Sequence, residues 1–108
     1  MLPYEHWGQA MGNSFKSAQF LLDSRIEDAL RGRPEALFDL GVCYQTGTAG
    51  AGVDLIEAHK WFNLAAVSGI AEAADARADV AEDMTAREIA EAQRQARAWL
   101  SMTQRRAA

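Results

Sequence analysis

Along most of this chain apolar residues recur at spacings of three and four, the period of one face of an α-helix. The pattern is sharpest between Ala36 and Gly69. Leu37, Leu40, Gly41 and Tyr44 fall at i, i+3, i+4 and i+7, and Ala58, Trp61, Phe62, Ala65 and Ala66 repeat that spacing. Between the two stripes Gly47, Gly50 and Gly52 interrupt the helical period. Asp54, with Glu57 three residues later, reads as an N-cap and capping box. The stretch therefore predicts two antiparallel helices joined by a glycine loop. Gly41 on one helix and Ala58, Ala65 and Ala66 on the other allow a close approach, with Tyr44 and Trp61 as the bulk beside it. Such a hairpin cannot cover both of its faces alone, which is how one unit of a stacked repeat behaves.

The flanks extend the pattern. From Ser14, Phe15, Ala18, Leu22, Ile26 and Ala29 lie on one stripe and Phe20, Leu21 and Leu30 widen it, which predicts a helix packed on two sides. Gly32 is placed to end that helix, and Pro34 to open the next one at its first position. Gly69 to Ala73 restarts the register of Gly32 to Ala36, but Arg77, Ala78 and Ala81 replace the large stripe residues. Thr85 with Glu88 forms a second capping box ahead of a long helix through Ile89, Ala92, Ala96, Trp99 and Leu100.

Ala36, Leu40-Gly41, Tyr44, Gly47, Gly52-Val53, Asp54, Ala58, Trp61-Phe62, Ala65-Ala66 and Gly69 together resemble the Sel1-like repeat, a relative of the tetratricopeptide repeat. The resemblance implies an α-solenoid of helical hairpins that binds other proteins, and it names no partner. The expected fold is all-α, a short α-solenoid of about five helices in one domain over residues 1–108. Residues 1–33 form an N-terminal segment and capping helix, 34–69 the intact repeat, and 70–103 a degenerate terminal repeat with polar substitutions on its outer face.

Composition narrows the function. A chain of 108 residues supports one modest core, and alanine, about a fifth of it, favours close helix packing over a bulky interior. A formal charge of −4 argues against a nucleic-acid partner, which calls for a basic stripe. No run of apolar residues reaches the length of a membrane span, and Met1 to Lys16 does not read as a signal peptide. The single cysteine, Cys43, fits a reducing compartment, so the cytoplasm is the expected location.

The candidate chemistry is that of contact, and no cofactor is expected. His6, Cys43 and His59 are scattered and hold no metal-ligand spacing; Cys43 reads as a buried inert thiol and His59 as an exposed helix residue. The glycine loop lacks the Lys-Ser/Thr of a phosphate cradle. Phe38 and Val42, with Asp39, occupy the side of their helix away from Leu40 and Tyr44. They either pack beneath the N-terminal segment or preceding helix, or form the floor of a binding groove. Glu72, Asp75, Asp79, Glu82 and Asp83 make an acidic ridge, interrupted by Arg77, that is either a solvated face or a guide for a basic partner. Tyr4 and Trp7 either dock on the chain's own helices or anchor a partner, and Trp99 is the corresponding candidate at the other end.

The expected function is a non-catalytic adaptor that binds a partner protein or a second copy of itself, a homodimer doubling its small surface. A purely structural homo-oligomeric subunit is the alternative, and a small ligand-binding protein or enzyme the more distant one.

Overall fold

The computed structural model describes residues 19–107 apart from 49 and 51. Among them the chain is all-α, with five helices and no strand. Helix α1 covers residues 19–30, and α2 (Pro34–Thr46), α3 (Leu55–Val67), α4 (Ala71–Ala81) and α5 (Ala86–Ala107) follow. Tyr4, Trp7, Phe15 and Ala18 lie outside the described residues.

The boundaries arise from local chemistry. The α1–α2 turn closes on Gly32 at φ 80, with its N–H donating to the Ala29 carbonyl at 2.9 Å, and Pro34 then opens α2. Gly47, at φ 75, ends α2 by donating to the Cys43 carbonyl at 2.8 Å. Asp54 caps α3 through the Glu57 N–H, 3.1 Å from its carboxylate. The return half of the expected box is absent there. The Asp54 N–H donates instead to the Tyr44 carbonyl at 2.9 Å, so the Glu57 side chain is free to bond elsewhere. At α5 the box is complete: the Glu88 N–H reaches the Thr85 hydroxyl at 3.1 Å, and the Glu88 carboxylate accepts from the Thr85 N–H at 2.8 Å.

Helix α3 is the centre of the fold, with α2, α4 and α5 all packed against it. Ala58, His59, Trp61, Phe62, Leu64 and Ala65 are buried, and of its thirteen residues only Val67, at the end, is exposed. A helix covered nearly all round must carry apolar or hydrogen-bonded side chains on its faces, and α3 does so except at His59. One core cluster joins Leu22 and Ala29 of α1, Leu37 and Leu40 of α2, Trp61, Leu64 and Ala65 of α3, Ala73 of α4 and Ala96 of α5. A second joins Ala58 and Phe62 of α3 to Val80 of α4, with Phe38, Val42 and Tyr44 of α2 packed against it.

Two expectations change here. The broad apolar arc of α1 is covered only in part: Leu22 and Ala29 join the core, while Phe20 is 71% and Leu21 48% exposed. And the space above Gly41 is filled by a ring, not by alanine: a Cβ there would stand 2.5 Å from two carbons of Phe62.

Candidate interaction surface

Phe38, Asp39 and Val42 sit on α2 as the period predicts, and the two apolar ones are half-buried. Phe38 is half-buried, its ring tilted at 53° to that of Phe62 with centroids 5.4 Å apart, and Val42 packs on the same cluster. Both pack on the cluster around Phe62 of α3, and Phe38 also packs on the cluster that includes Leu22 and Ala29 of α1; the N-terminal segment lies outside the described residues. Asp39 is exposed, 3.9 Å from the Arg25 guanidinium of α1, an ion pair weak in water.

On α4 the periodicity places Asp75, Asp79 and Glu82 together, flanked by Glu72 and Asp83, and all five are exposed. Among the described residues none of them forms a salt bridge. Arg77 does not interrupt this ridge. It turns toward α3, where its Nη1 donates to the Asn63 Oδ1 at 2.6 Å. The outward face of α4 is therefore purely acidic, interspersed with exposed Ala71, Ala74 and Ala78 that keep it smooth.

Trp99 is half-buried and holds α5 on α3, its ring edge-on to that of Trp61 at 78° and 4.8 Å between centroids. It borders two shallow clefts. The first, about 310 Å³, is floored by Leu37, Leu64 and Leu100 near the α1–α2 turn; the second, about 260 Å³, lies between Lys60 and Met102. Beneath it the Trp61 Nε1 donates to Glu57 Oε2 at 2.9 Å, and the Glu57 carboxylate also accepts from Lys60 Nζ, which lies 4.7 Å from the Trp61 ring centroid. Burial, then Glu57 and Asp54, raise the Tyr44 hydroxyl above its usual pKa and keep it protonated.

The residue that sequence reasoning misplaced is His59. It is 3% exposed, and its Nδ1 has no hydrogen-bond partner. Burial first, and Arg77 second, hold its pKa below the ordinary value of 6.5. The signal was available in the breadth of the α3 pattern: a helix apolar over most of its circumference leaves no solvent face for a histidine. Cys43 is buried and unpaired, as its place inside α2 predicts. Among the described residues no group of three or more His, Cys, Asp or Glu is positioned to hold a metal ion. No described helix is long and apolar enough to cross a membrane.

No family model, curated protein or solved structure matches this chain.

Proposed function

We propose that this chain is a non-catalytic protein-interaction module of the Sel1-like type, binding a partner protein through the acidic face of α4. The supporting observation is the enclosure of α3 by α2, α4 and α5. Hairpins laid side by side around a shared helix spend their apolar residues inward and leave the outer faces of the later helices to water and to partners. On α4 and the turn after it that face offers five carboxylates, none in a salt bridge among the described residues, which favour a basic segment by long-range attraction. The α2–α3 hairpin, with α4 and α5 each laid on α3, makes a short solenoid in this reading, and the buried unpaired thiol of Cys43 accords with a cytoplasmic location.

The test compares wild type with the triple variant Asp75→Asn, Asp79→Asn, Glu82→Gln in a pull-down from native extract. Light scattering weighs the eluted complexes. These positions are exposed, so the variant should fold. Recovery of a partner by wild type and its loss with the variant supports the reading. A defined oligomer of the chain alone, retained in the variant, favours the purely structural role instead.

A further inference from the structure

The geometry of α3 and α4 leaves one buried titratable group with an unpartnered polar atom. His59 lies on α3 with 3% of its surface exposed, and its Nδ1 is without a partner. The charged group that bears on it is Arg77 of α4, whose guanidinium is held by Asn63, one turn along α3 from His59. The carboxylates of α4 and the turn after it, Glu72, Asp75, Asp79, Glu82 and Asp83, are exposed on the outer side. A neutral imidazole tolerates this setting, one nitrogen left unbonded. A protonated one places a second cation near the guanidinium and gives the buried Nδ1 an N–H with no acceptor.

Helix α4 is also lightly held. Ala73 and Val80 are its fully covered side chains, one small and one medium, while most of its remaining residues face water. Elements with so little buried apolar surface open at lower free energy than the rest of a fold.

We infer that His59 makes the α3–α4 contact an acid-sensitive latch: proton uptake by the imidazole in mildly acidic solution releases α4 from α3 while α2 stays packed on the other side. The direction follows from linkage. The folded pKa of His59 lies below the ordinary 6.5, so the stability contributed by the neutral form is complete above that pH and is lost as pH falls from 6.5 toward the folded value. The latch stands whether or not α4 is a partner surface. If it is, acid withdraws that surface.

Amide hydrogen exchange of the full chain, expressed as protection factors between pH 7.5 and pH 5, tests this in wild type, His59→Leu and His59→Gln. Gln keeps a polar side chain of similar reach that never titrates, so it serves even where Leu fails to fold. His6 is retained in all three chains. In wild type the α4 amides should lose protection below about pH 6.5, by at most about tenfold per pH unit, while the α2 amides hold theirs. In the variants the α4 amides should show no such fall. A fall that persists in His59→Gln assigns the effect to carboxylates and overturns the inference. So does wild-type protection that stays level to pH 5, and so does a fall shared equally by α2 and α4, which is global unfolding.

Discussion

The Phe62 ring lies where a side chain on Gly41 would stand, its Cδ1 and Cε1 each 2.5 Å from the position of a Cβ at residue 41. The ring cannot swing aside, because Phe62 is fully buried and Phe38 packs against it at 5.4 Å. Gly41→Ala should therefore destabilise the fold by about 1 to 3 kcal/mol through overpacking, although alanine is the better helix former. Urea unfolding measures it. Phe62→Leu in the same chain should recover part of that loss, so the double-mutant cycle should show coupling; additive costs would refute the contact.

Trp61 is 4% exposed and meets both Trp99 and Glu57. Trp61→Ala should cost roughly 3 to 5 kcal/mol, the range for removing a large buried ring. Trp99→Ala should cost less, since half-burial and an edge-on aromatic pair contribute about 0.5 to 1.5 kcal/mol beyond area. Thermal melts of both variants order the two effects, and equal losses would contradict the central place of α3.

The two caps differ in a way that substitution can read. Asp54→Ala and Thr85→Ala should each cost about 0.5 to 2 kcal/mol as lost N-caps. Glu88→Ala should fray the start of α5, because its carboxylate holds the Thr85 N–H. Glu57→Ala should leave the α3 cap intact and loosen Trp61 and Lys60 instead, since those are its partners. Exchange rates at the first turns of α3 and α5 distinguish the two behaviours.

Phe38→Asp should act on stability before it acts on binding. The substituted carboxylate would face the Phe62 cluster, and a loss of about 2 to 3 kcal/mol is expected. A variant as stable as wild type would return Phe38 to the free surface.

Much of the framework was legible because it depends on neighbours in sequence. Pro34, Gly32, Gly47, Asp54 and the Thr85–Glu88 box act within four residues of themselves, so a local reading locates the helix ends. The stripe through Leu37, Leu40, Gly41, Ala58, Trp61, Phe62 and Ala65 names the buried face of the hairpin, since an amphipathic helix turns its apolar side inward. The acidic face of α4 was equally visible in its period.

Questions of which helix covers which face were answered elsewhere. Whether Phe38 and Val42 are groove or core depends on α3, sixteen or more residues further on, and whether His59 is wet or dry depends on α4 arriving beside it. The same holds for Arg77, drawn off the acidic ridge by Asn63, and for Glu57, drawn off its own cap by Trp61 and Lys60. By itself the sequence determined the helices, their ends and their apolar stripes, because hydrogen bonds of caps and turns are short-range. The tertiary structure alone decided the enclosure of α3, the ring over Gly41 and the buried imidazole, because burial belongs to pairs of surfaces and no single segment contains both.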